Sequence, residues 1–95
     1  MKITAAQCRA ARGLLNISQA ELAEMAGMSK QALSLFEVGK TVPMQGNMRG
    51  IVAAFTGAGI RFLAEVDGVP VIGVYLICGS AGKASGESHA YARSE

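Results

Sequence analysis

Tryptophan is absent from this 95-residue chain, and two Tyr and three Phe are its only aromatics. A wide ring-stacking ligand pocket is therefore not expected, and the core has to be assembled from Leu, Ile, Val, Ala and Met. Cysteine is just as scarce. Cys8 and Cys78 stand far apart, with no CxxC and no Cys/His cluster near the single histidine, His89. That spacing suggests neither a zinc site nor a disulfide framework and fits unreactive thiols in a reducing compartment. No apolar run approaches the roughly twenty residues of a membrane span, and no signal-peptide pattern opens the chain, so a cytoplasmic protein without a membrane partner is expected. Catalytic groupings are missing as well. His89 has no acid or nucleophile at useful spacing. The stretch Gly79 to Lys83 fails as a phosphate loop, because Ile77 stands where the first glycine belongs and Ala84 replaces the magnesium-binding hydroxyl. No enzyme, metal or cofactor is expected.

What the chain does have is apolar content, 51% against 17% charged, enough for one small domain with a real core. Its net charge of +2 is unevenly placed: residues 1–49 hold six Lys/Arg against three Asp/Glu, and residues 50–95 hold three against four. The N-terminal half is the one suited to approach a polyanion.

Two capping boxes, Thr4 with Gln7 and Ser18 with Glu21, each mark a helix start, because hydroxyl and carboxyl or amide reciprocally satisfy the orphan amides there. The first helix runs to Leu14 or Leu15 with Cys8, Ala11 and Leu15 inward. The second covers Gln19 to Ala26, turns Leu22, Ala23 and Ala26 inward, and stops at Gly27. Ser29 then caps a third short helix with Leu33 and Phe36 on one side and Lys30, Gln31 and Ser34 on the other. Gly39 ends it, and Val42-Pro43 enforces an extended link. A fourth helix is expected over about Asn47 to Thr56, with Met48, Ile51, Val52 and Phe55 inward, weakened by Gly46 and Gly50.

The run from Gln19 to Glu37, with Ala23 at the expected helix crossing and Gly27 in the turn, resembles the helix-turn-helix of the phage repressor/Cro (XRE) family. The likeness extends outward to Arg12, Gly39, Lys40 and Pro43 and covers roughly residues 3–58. It implies a sequence-specific regulator whose third helix enters the major groove of double-stranded DNA. By position it puts Gln19 at the phosphate backbone and Ser29, Lys30, Gln31, Ser34 and Leu35 at or near the groove. It also puts Lys40 and Asn47 on the sugar-phosphate backbone, and it pairs Arg12 with Glu37 as a structural ion pair. The side-chain chemistry is compatible. Gln31 suits adenine, Lys30 suits guanine O6 and N7, and Leu35 suits a thymine methyl. The bland alternative for each polar residue is a solvated helix face.

From Ile60 the apolar period changes from helical to two, and Asp67-Gly68 is a two-residue hairpin turn. The expected architecture is thus mainly α: a four-helix repressor-like helix-turn-helix domain (1–58), a β-hairpin (59–78) and a disordered tail (79–95). A regular register pairs Val66 with Val69, Ala64 with Val71, Phe62 with Gly73 and Ile60 with Tyr75. It leaves Leu63, Ile72, Val74 and Leu76 on a second apolar face, read as a homodimer surface. The function expected is repression by a homodimer on a palindromic operator, since repression needs only occupancy. The alternatives are an antitoxin, with a toxin or other protein antagonist as partner, and a protein-interaction adaptor that keeps the fold without binding DNA.

Overall fold

The computed structural model describes residues 1–78. The tail from Gly79, with the phosphate-loop look-alike and His89, lies outside them. Helices α1 (Ala5–Leu15), α2 (Gln19–Ala26), α3 (Lys30–Glu37) and α4 (Gln45–Gly57) precede strands β1 (Ile60–Val66) and β2 (Val69–Leu76), which form one antiparallel hairpin. No helix among the described residues is long and apolar enough to cross a membrane.

Both capping boxes form. Thr4 Oγ1 accepts from the Gln7 amide at 3.0 Å while Gln7 Oε1 accepts from the Thr4 amide at 2.9 Å, and Ser18 with Glu21 repeats the pattern at 3.0 and 2.8 Å. α1 stops at Asn16 and α2 at Gly27, both in the left-handed region at φ 58° and 74°. There the chain turns back and its amides close on the helix ends, Ile17 on Arg12 O and Met28 on Ala23 O. The core is the set these turns bring together: Ile3, Cys8, Ala11, Leu22, Ala23, Leu33, Phe36, Met48, Ile51, Phe55 and Ile60.

Two sequence expectations change. First, α4 begins at Gln45, two residues earlier than the pattern suggests, and Gly50 is a packing requirement. A Cβ there would overlap the backbone carbonyl oxygen of Ala26, so the missing side chain is what lets α4 approach α2. Gly46, by contrast, faces open space.

Second, the hairpin register is irregular. Asp67 and Gly68 take φ 53° and 81°, the two positive values of a tight two-residue turn, and Val66 pairs with Val69 as expected. Between Leu63 and Glu65 the register then shifts, because one residue of β1, Ala64, spans two of β2, Val71 and Ile72. Beyond that bulge Leu63 faces Gly73, Phe62 faces Val74, Arg61 faces Tyr75 and Ile60 faces Leu76. The expected pairs of Phe62 with Gly73 and Ile60 with Tyr75 are therefore corrected, and so is the second apolar face. Val74 and Leu76 pack inward against the core beside Phe62, Leu63 lies on the outer side over Gly73, and only Ile72 of that set is strongly exposed. Burial explains the shift. A regular ladder would present Gly73 and Tyr75 to the helices, a gap and a hydroxyl, whereas the bulge presents two aliphatic side chains, each worth about 1.5–3 kcal/mol when fully buried.

The hairpin is also pinned by a polar contact. Buried Gln7, already spending its carbonyl oxygen on the α1 cap, donates from Nε2 to Gly73 O at 2.9 Å. Phe55 of α4 meets Phe62 of β1 edge to face, with ring centroids 5.9 Å apart.

The Gly50 contact yields an opposed pair of outcomes. Ala favours a helix interior by about 1 kcal/mol over Gly, yet Gly50→Ala must push two helix backbones apart, an overpacking cost of about 1–3 kcal/mol. Gly50→Ala is expected to lower the melting temperature by about 5 °C or more, while Gly46→Ala leaves it unchanged or raises it. Thermal unfolding followed by circular dichroism distinguishes the two.

Candidate nucleic-acid interface

α3 is short, and its position rests on what holds its two ends. At the start, Gly27 and Met28 turn the chain, and Ser29 Oγ accepts from the Ala32 amide at 3.1 Å. Ser29 is thus the N-cap of α3, with its acceptor committed to the helix. At the other end, Gly39 at φ 86° reverses the chain and the Lys40 amide closes on Leu35 O at 2.9 Å.

Between these ends Leu33 and Phe36 are buried, while Lys30 and Gln31 are exposed and Ser34 half-buried on the opposite side. Leu35 is 37% exposed, an aliphatic side chain left partly in water. Gln19, at the first position of α2, closes the side of a shallow groove walled by Lys30, Gln31, Ser34 and Leu35. Five of the eight residues that the sequence pattern assigns to DNA therefore meet in one concavity. Lys40 lies exposed beyond the end of α3, outside that groove, and Asn47 sits half-buried in the first turn of α4. The α4 amides near Asn47 have no side-chain cap, because Met44 occupies the N-cap.

The anchor of the interface is Glu37, the last residue of α3, only 2% exposed. Its Oε2 accepts from Arg12 Nε at 2.7 Å and from the Cys8 thiol at 3.2 Å, and its Oε1 accepts from Arg12 Nη2 at 2.8 Å and from Gln19 Nε2 at 2.9 Å. Two donors per oxygen fill the acceptor capacity of a carboxylate. The Arg12 fork is bidentate, the strongest form of such a pair, and its remaining Nη1 donates to Ile17 O at 3.0 Å. Arg9 adds a bond from Nη1 to the Glu37 backbone oxygen at 2.6 Å, at the end of α3 where cations are favoured. Among the described residues no buried side-chain nitrogen or oxygen lacks a partner.

Burial alone would push the Glu37 carboxyl up, but the hydrogen bonds from Arg12, Gln19 and Cys8, with the Arg12 charge, outweigh it and hold the group below the usual carboxylate range. The same hydrogen bond raises Arg12. Burial, then the adjoining carboxylate, push the Cys8 thiol well above its ordinary value, so it is held protonated as a donor.

The ion pair of Arg12 and Glu37 stands where the sequence pattern placed it. Cys8, Arg9 and the inward-turned Gln19 join that pair in contacts that the sequence pattern does not show. A signal existed for Cys8, which lies four residues before Arg12 and so shares its helix face. Nothing in a sequence distinguishes a buried thiol that donates from one that merely fills space.

A depressed carboxyl contributes stability that is present above the unfolded-state pKa and is lost as pH falls through the folded value. Wild type should therefore lose stability from the ordinary carboxylate range downward, and Glu37→Gln should show a flatter profile there. At pH 7 the variant should be less stable by about 2–4 kcal/mol, since Arg12 loses its counter-charge. Urea unfolding at pH 7 and pH 4 measures both effects.

Residues 9–56, just over half of the chain, match the family model described as helix-turn-helix. No curated protein matches the chain. With the matched span running from within α1 to the last turn of α4, and α3 held out by a clamp across three helices, the chain belongs to the Cro/repressor-type (XRE) helix-turn-helix family of DNA-binding transcription regulators.

Proposed function

We propose that the protein is a transcriptional repressor without catalytic activity, acting in the cytoplasm as a homodimer on a palindromic operator. The observation that carries this reading is the groove between α2 and α3, where Gln19, Lys30, Gln31, Ser34 and Leu35 converge on one exposed surface. Donors, an acceptor and an aliphatic side chain within one helix width match the mixture of contacts that base edges offer in the major groove.

The residues divide by task. Gln31 and Lys30, exposed on the first turn of α3, read bases, and Leu35 contacts a thymine methyl. Gln19 has one amide hydrogen on Glu37 and keeps the other for a phosphate, so the same side chain orients the reader and touches the backbone. Lys40 and Asn47, away from the groove, hold backbone and set register. A single α3 reads only a few base pairs. Two copies related by a twofold axis address half-sites about 34 Å apart, which supplies both affinity and length of site.

The division is testable by binding to operator duplexes selected from a random pool. Gln31→Ala is expected to lose about 1–3 kcal/mol on the selected site and to relax preference at one base pair. Lys40→Ala should weaken selected and scrambled duplexes alike and reduce the salt slope by about one. A selected pool without palindromic symmetry, or unchanged affinities for Gln31→Ala on both duplexes, would overturn the reading.

A further inference from the structure

Of the side chains that reach the Glu37 carboxylate, only Cys8 belongs to the apolar core, where it has no exposed surface. A cysteine in such a place commonly acts as a small hydrophobe that fills space. Here its sulfur stands 3.2 Å from Glu37 Oε2. The opposite oxygen, Oε1, accepts from Gln19 at 2.9 Å, and Gln19 is a wall of the groove. One carboxylate thus carries a donor from the core on one oxygen and a donor from the groove on the other.

The Arg12 fork joins Nε to Oε2 and Nη2 to Oε1 and so fixes the plane of the carboxylate. It does not fix where in that plane the group stands, because Arg12 is a long side chain, 21% exposed, whose many rotamers let it travel with its partner. The two flanking donors set that position. A cysteine has a single torsion between its backbone and its sulfur, so a thiol on a packed helix is the fixed point of the set.

We infer that Cys8 is a positioning residue for DNA recognition: through Glu37, its thiol fixes where Gln19 stands beside α3. The inference rests on the role given above to Gln19. A thiol suits the task because it stays a donor. Burial and the adjoining carboxylate keep it protonated, so it does not become a second anion beside Glu37. An apolar side chain of similar size would occupy the same space and leave Oε2 with Arg12 alone. Carboxylate and fork would then shift together away from the core, and the Gln19 amide would lose its acceptor.

Nuclear magnetic resonance of the full chain, with binding to duplexes selected from a random pool, tests the assignment. Cys8→Val fills the site without a donor, and Cys8→Ser keeps one. In Cys8→Val the Glu37 carboxyl is expected to titrate at higher pH than in wild type, since a bond that favours its charged form is gone. The Gln19 side-chain amide is expected to shift and to lose protection from hydrogen exchange, while Cys8→Ser stays near wild type in both readouts. On DNA, Cys8→Val is expected to lower the ratio of selected to scrambled affinity by about threefold or more. In a Gln19→Ala background the same substitution costs nothing further.

Cys8→Val with a wild-type Glu37 titration and wild-type Gln19 resonances would overturn the inference and leave the thiol as a space-filler. So would a loss of discrimination that persists undiminished in Gln19→Ala. Shifted Glu37 and Gln19 in the free protein, with duplex affinities indifferent to Gln19→Ala, would confirm the hold on Gln19 and overturn its role at DNA instead. Should Cys8→Val fail to fold, Cys8→Ala is measured in its place, with the same shifts expected and their absence equally decisive.

Discussion

A carboxylate removed from water at the end of a recognition helix is a costly thing to build, and most of the helical domain is arranged around it. Glu37 keeps its charge because four donors reach it from two other helices: Arg12 and Cys8 from α1, Gln19 from α2. Replacing such a cluster by apolar packing is often as stable or more so. What the cluster supplies is direction. Apolar contacts among Leu22, Leu33 and Phe36 hold α3 against the body but tolerate small rotations, whereas a bidentate fork and an amide fixed on the same two oxygens tolerate few. For a helix proposed to present side chains to base edges, orientation is the property that matters.

The same economy appears at Gln7 and Gln19. Gln7 closes the α1 capping box with its carbonyl oxygen and docks the hairpin with its amide nitrogen. Gln19 begins α2 and braces the end of α3. In a chain with 17% charged residues there are few groups to spare for single duties, so local caps and tertiary ties fall on the same atoms. Disturbing either residue therefore reaches both a helix start and an element distant in sequence.

The hairpin shows how packing overrides a local pattern. Its turn and its first cross-strand pair follow from Asp67-Gly68 and the left-handed conformations these residues accept. Two residues beyond that pair, the ladder gives way to a bulge, because the helices beneath reward Val74 and Leu76 over Gly73 and Tyr75. With one extra residue in β2, Ile60, Phe62, Val74 and Leu76 share the face that packs on the helices, while Arg61, Leu63, Gly73 and Tyr75 take the other.

Four helices, the N-caps of the first three, the turn at Gly27, the hairpin turn and the pairing of Arg12 with Glu37 are legible in the amino-acid sequence. Each of these depends on residues within a few positions of one another or on a spacing characteristic of the motif. The groove residues were legible for the same reason, since a helix face can be read from a period of 3.6. Packing of one element on another is what makes Gly50 a contact and not a weakness, brings the Cys8 thiol and the Gln19 amide to the carboxylate clamp, and turns Val74 and Leu76 inward. Those outcomes depend on which backbone lies across from a given residue. A strand displaced by one position moves every side chain to the other face, and no local pattern encodes what the opposing helix will accept.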